Sequence, residues 1–242
     1  MKVALVLLPG MDGTGLLFPD FITALGQDIE AIVVSYSQDK TLSYVELEKL
    51  VRSFLPVNKP YFILGESFSG PIAISIAATM PTGFLGLILC CTFAKNPLPL
   101  LKVARPLMAL LPVTATPLSL LNYFLMGRFS TPELRSSLGR AVAAVSPAVL
   151  KNRACEVLSV DVSVALSTIK VPVLYLRSSE DRVVQKSSSE LIATLAPQTQ
   201  IVDFVAPHFL LQVLPCESAS VVTNFIHPGS GTQPMDTSIS RS

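Results

Sequence analysis

The chain has 242 residues, of which 50% are hydrophobic and 14% charged, with a formal net charge of +1. That balance gives no electrostatic support to a surface for nucleic acid or another polyanion, while the length suits one large α/β domain with a sizeable core. The four cysteines, Cys90, Cys91, Cys155 and Cys216, show no CxxC spacing, and two histidines complete no recognisable zinc ligand set. No metal or cofactor is therefore expected, and the cysteines read as reduced core thiols of a cytoplasmic protein.

In chain order, the apolar run Val3–Leu8 comes first. Pro9 cuts it short, and Gly10-Met11-Asp12-Gly13 follows instead of a longer apolar region with a cleavage site, so it reads as a buried strand and not as a signal peptide. Residues 31–36 form a second such run. From 43 to 55, Leu47, Leu50, Val51 and Phe54 recur at helical spacing, and Ser43 with Glu46 makes a capping box. A third strand, 61–64, leads through Gly65-Glu66-Ser67-Phe68-Ser69-Gly70 into a small-residue helical run over 71–80. A fourth strand covers 85–91.

The alternation breaks between Phe93 and Ile169. Leucines crowd among prolines at 97–126, where Pro99, Pro106, Pro112 and Pro117 and the charges of Lys102 and Arg105 exclude a bilayer-spanning helix. A second helical part starts at Thr131. Two readings stand side by side: a helical cap inserted over 95–169, whose Leu107, Met108, Leu121 and Phe124 are candidates to line a substrate pocket, or an ordinary helical layer on the sheet. Strands at 173–176 and 200–205 and helices at 185–195 and 216–226 resume the pattern. Continuous apolar runs alternating with helices predict a mostly parallel sheet covered on both faces. The expected division is a core of residues 1–94 and 170–227, the cap, and a disordered tail over 228–242.

Ser67 stands on the sharp strand-to-helix turn, where a hydroxyl is lifted clear of the sheet among small residues and a carbonyl can approach it. Serine attacks only when a base takes its proton and a third group orients that base. His208, in Ala206-Pro207-His208-Phe209 after a late strand, is the candidate base, since His227 lies at the edge of the tail. Asp181, beside Glu180 after the 173–176 strand, is the candidate acid; pairing with Arg182 in a solvated turn is its other reading. The amides of Met11 and Phe68 are candidate oxyanion donors, one after the first strand and one after the nucleophile. The glycines of the first loop run Gly-x-x-Gly-x-Gly, which is neither the dinucleotide fingerprint nor a P-loop.

Taken together, Leu8-Pro9-Gly10-Met11-Asp12-Gly13, Gly65 to Gly70, Leu176 to Val184 and Pro207-His208-Phe209 resemble the oxyanion loop, nucleophile elbow, acid turn and histidine loop of the α/β-hydrolase superfamily, serine carboxylesterases in particular. The resemblance runs from about Val3 to Ile226. It implies the α/β-hydrolase fold, a catalytic triad of Ser67, Asp181 and His208 in that chain order, and an oxyanion hole at Met11 and Phe68. It departs from the superfamily pattern at Pro9, where many members carry His, and at Ser69, which replaces the last elbow glycine. The implied activity is hydrolysis of a small-molecule acyl ester through an acyl-enzyme. Thioester, lactone or acyl-transfer chemistry uses the same parts, and a non-catalytic binding module would share the fold. The sequence sets neither acyl length nor oligomeric state.

Overall fold

The structure, a computed structural model, describes residues 2–97 and 117–228. Six strands, β1 (Val3–Leu8), β2 (Ile29–Val33), β3 (Tyr61–Glu66), β4 (Phe84–Cys90), β5 (Val173–Ser178) and β6 (Thr199–Phe204), form one sheet in the order β2-β1-β3-β4-β5-β6. Every pairing is parallel. Parallel neighbours need crossovers, and helices supply them: α1 (Pro19–Leu25), α2 (Tyr44–Arg52), α3 (Gly70–Ala78), α4 (Leu118–Leu125), α5 (Pro132–Ala143), α6 (Pro147–Ser159), α7 (Ser163–Thr168) and α8 (Lys186–Leu195); α9 (Leu210–Val213) and α10 (Pro215–Ile226) follow β6.

Successive strand side chains point to opposite faces, and the core divides accordingly. Val6, Leu8, Ile63, Leu87 and Tyr175 pack on one face with Leu47 and Val51 of α2, Ile72 and Ile76 of α3 and Ile192 of α8. Leu5, Leu7, Leu64, Ile88 and Leu176 pack on the other with Phe21 of α1 and Val222 and Ile226 of α10. Burial on both faces is why the central strands read as unbroken apolar runs. The reading of 31–36 as a strand is shifted: β2 is an edge strand paired only with β1, from Val3↔Ile29 to Leu7↔Val33, and it ends there, before β1 runs into Pro9. Glu30 interrupts the apolar run and conceals its true start.

The Ser43–Glu46 capping box forms at the start of α2, and Thr131 caps α5 through the amide of Leu134. Helices α4 to α7 lie between β4 and β5, and a bridge between Lys95 and Asp161 joins the two ends of that segment. The expected pocket residues Leu107 and Met108 and the tail beyond Pro228 lie outside the described residues. All four cysteines are free, but only Cys90 and Cys91 are buried; Cys155 is half-buried and Cys216 exposed, which corrects the expectation of four core thiols. Two of them sit on helix surfaces, where apolar character alone does not dictate depth. No helix among the described residues is long and apolar enough to cross a membrane.

Candidate active site

At the end of β3 the chain reverses within a single 3-10 turn, Ser67–Ser69, and enters α3. Ser67 sits there at φ 48°, a left-handed conformation that a residue with a Cβ adopts only under constraint. The turn is tight because Gly70 has no side chain: a Cβ there would lie 1.9 Å from Thr92 Oγ1. Thr92 in turn donates its hydroxyl proton to the Ser67 carbonyl. Ser69, the departure from glycine, fits fully buried, and its hydroxyl donates to the Pro9 carbonyl.

The three residues singled out for proton transfer come together from β3, β5 and β6. Ser67 Oγ lies 2.8 Å from His208 Nε2, and His208 Nδ1 lies 2.8 Å from Asp181 Oδ2. Asp181 Oδ1 accepts the amide protons of Val183 and Val184 at 2.8 and 2.9 Å, which orients the carboxylate from within its own turn. The competing pairings are taken elsewhere. Glu180 accepts from Arg128 at the surface, and Arg182 donates to the Tyr123 carbonyl while stacking over the Tyr123 ring. The His208 loop is held by the amide of Phe209, which donates to the Leu125 carbonyl at 3.0 Å.

Burial of His208 disfavours the imidazolium, but the Asp181 charge and hydrogen bond outweigh it, with Cys91 and Glu66 adding, and its pKa is pushed up to about 9. Glu66, immediately before Ser67, is buried, and burial pushes its carboxyl up to about 7. Its Oε1 accepts from Gln212 Nε2 at 2.9 Å. Cys91 Sγ lies within 4.8 Å of ligand atoms on Asp181 and His208, the one such cluster among the described residues. There the imidazole and carboxylate bond to one another, and the thiol lies 3.2 Å from Ser178 Oγ.

Met11 and Phe68 flank this line in the chain. Gly13 N donates to the Gly10 carbonyl at 3.0 Å, closing a turn around Met11. Phe68 is buried, stacked on Tyr44 with ring centroids 4.8 Å apart, and its carbonyl accepts from the Tyr44 hydroxyl. The Met11 amide donates to no acceptor among the described residues. Of the expected pocket residues, Leu121 packs with Met126, Leu138 and Phe209, next to His208, whereas Phe124 is exposed.

Sequence reasoning missed three supports. Gln212 and Arg153 gave no local signal, because their partners lie 146 and 142 residues away. Tyr36 read as the end of a strand; its hydroxyl lies 2.7 Å from Ser69 Oγ.

No protein-family model matches the chain, and no curated protein sequence does either. Solved structures do. A thermophilic esterase from Thermogutta terrifontis superposes with a TM-score of 0.81 at 17% identity, over 94% of this chain and 90% of that one. An α/β-hydrolase enzyme from a Medee basin deep-sea metagenome library gives 0.75 at 18%, over 98% and 92%. The enol-lactonase of Burkholderia xenovorans gives 0.75 at 14%, over 93% and 90%. With a parallel six-stranded sheet flanked by helices and these neighbours across nearly its whole length, the chain has the α/β-hydrolase fold.

Proposed function

We propose that this protein is a serine hydrolase that cleaves carboxylic esters of small molecules through an acyl-enzyme. The observation that carries the reading is the continuous line from Ser67 through His208 to Asp181, with 2.8 Å at each step. A binding module has no need of such a line. His208 Nε2 takes the Ser67 proton as the serine oxygen attacks the ester carbonyl. The oxyanion of the tetrahedral intermediate is met by the Met11 and Phe68 amides. Collapse expels the alkoxide, which leaves as the alcohol with the proton from His208. Water, deprotonated by the same imidazole, then releases the acid and restores Ser67. Asp181 fixes the tautomer with Nδ1 protonated and stabilises the imidazolium.

The structural neighbours include an esterase and a lactonase; the ester is the reading of choice, and lactone hydrolysis would use the same steps. Helices α4 to α7 serve as the cap, with Leu121 bringing apolar surface against Phe209 at the histidine loop. The test is hydrolysis of p-nitrophenyl esters from acetate to palmitate, with labelling by a fluorophosphonate. Wild-type protein turns over and is labelled, and Ser67→Ala does neither. Retention of turnover by Ser67→Ala would sink the assignment.

A further inference from the structure

Arg153 of α6 is 2% exposed, and among the described residues no carboxylate oxygen lies within ion-pair distance of its guanidinium. Burying a cation is costly, and the nearby Asp12 charge offsets only part of what burial takes from it, so its protons must be used. Here they go to main-chain carbonyls: Nη1 donates to Met11 O at 2.9 Å and Asp12 O at 2.7 Å, and Nη2 to Ser37 O at 2.8 Å. The guanidinium also lies over the Tyr36 ring, 5.6 Å from its centroid. Gly13 makes room for it. At φ 67°, a Cβ on residue 13 would stand 2.5 Å from Nη1. Asn152 and Glu156 of the same helix bind the Leu42 carbonyl and the Tyr44 amide, so α6 is itself fastened to the core.

The carbonyl and amide of a trans peptide point in opposite directions. The Gly10 carbonyl is turned into the loop by Gly13 N, so the Met11 amide, on the same peptide, points away from that turn. This peptide turns about the bonds on either side of it, and Arg153 anchors its C-terminal side by holding the carbonyls of the next two peptides. Resting on the serine-hydrolase reading above, we propose that Arg153 is a positioning residue that reaches from the segment between β4 and β5 to set the Met11 amide for the oxyanion. A charged group contributed by the cap thereby tunes transition-state stabilisation without touching substrate.

The experiment compares wild type, Arg153→Ala and Arg153→Lys in p-nitrophenyl acetate hydrolysis and in inhibition by an alkyl trifluoromethyl ketone. Ser67 Oγ adds to that ketone carbonyl, its proton passes to His208, and the adduct carries the oxyanion. Loss of one oxyanion donor lowers kcat by about a hundredfold or more and misplacement by less, so Arg153→Ala is expected to lose roughly 10- to 100-fold in kcat. KM should stay within a factor of about three, with ketone affinity falling in step with kcat/KM. Arg153→Lys, which keeps charge and most of the reach, should recover part of both. Folded Arg153→Ala with unchanged kcat and ketone affinity would overturn the proposal while leaving the hydrolase reading intact; an active Ser67→Ala would overturn that reading instead. If Arg153→Ala does not fold, Arg153→Lys decides by the same two measurements, and failure of both to fold makes Arg153 a folding element and also overturns the proposal.

Discussion

The hydroxyls of Tyr36 and Ser69 lie 2.7 Å apart inside the protein, and Ser69 passes its own proton to the Pro9 carbonyl. Burial holds the Tyr36 phenol above its ordinary pKa range, so it remains a donor. The elbow and the loop after β1 are thus tied by a relay that the usual elbow glycine could not make. Ser69→Gly, which restores the common motif, should lower stability by about 1–3 kcal/mol by leaving a buried phenol and carbonyl unpaired. Thermal melts of Ser69→Gly and wild type check this; an unchanged melting temperature would refute it.

His208 sets the pH dependence. As the proposed base it must be neutral, and its pKa stands at about 9, so kcat/KM should climb through neutrality toward a midpoint near 9. Asp181→Asn removes the charge that raises this value: the midpoint should move to lower pH, with kcat down by about 10⁴-fold. The stability sign follows separately. A histidine whose pKa rises from 6.5 unfolded to about 9 folded contributes fully below 6.5 and loses that contribution as pH rises through 9. Rate profiles of both proteins between pH 5 and 10 measure the midpoints.

Glu66 acts in the same direction with pH, as a penalty that grows and not as a contribution that is lost. Its carboxyl is raised from 4.5 to about 7 by burial, with the Gln212 hydrogen bond only partly offsetting it. Below 4.5 it is protonated in both states and costs nothing. The penalty grows across the interval to 7 and is complete above it, on the order of 3 kcal/mol. Glu66→Gln keeps an acceptor for Gln212 and removes the charge. It should melt higher than wild type at pH 8 and alike at pH 4.5, as calorimetry at the two pH values would report.

Ser67 at φ 48° is held in a conformation that costs about 1–3 kcal/mol for a residue with a Cβ. Ser67→Gly should therefore be inactive yet more stable than Ser67→Ala, which keeps the strain. Denaturant midpoints of the two inactive variants test it. Equal midpoints would show that the turn is relaxed.

Much of this was legible in the residues. Strands β1, β3, β4 and β5 declared themselves because both faces are apolar, and the capping box marked the start of α2 within a residue. The edge strand β2 did not, since one side of it lacks a partner and Glu30 breaks the run. Helix α1 gave no clear period, being only Pro19–Leu25 and buried at Phe21 and Leu25 alone. The Ser67, Asp181 and His208 line could be anticipated because each residue follows a strand, and a parallel sheet brings strand ends to one edge. Arg153 and Gln212 could not, because what they bind is main chain or a remote carboxylate, and such contacts leave no spacing in sequence. Asp181 was the candidate acid in sequence with Glu180 beside it, and the structure adds that Arg128 claims Glu180.

The grip of α6 has a practical corollary for engineering. Asn152, Arg153 and Glu156 seize carbonyls and an amide at Leu42, Met11, Asp12, Ser37 and Tyr44, never their side chains. Met11, whose side chain is open to solvent, can consequently be randomised without loosening the clasp. A library at that position would vary the surface beside the proposed oxyanion donor while the scaffold beneath it stays put.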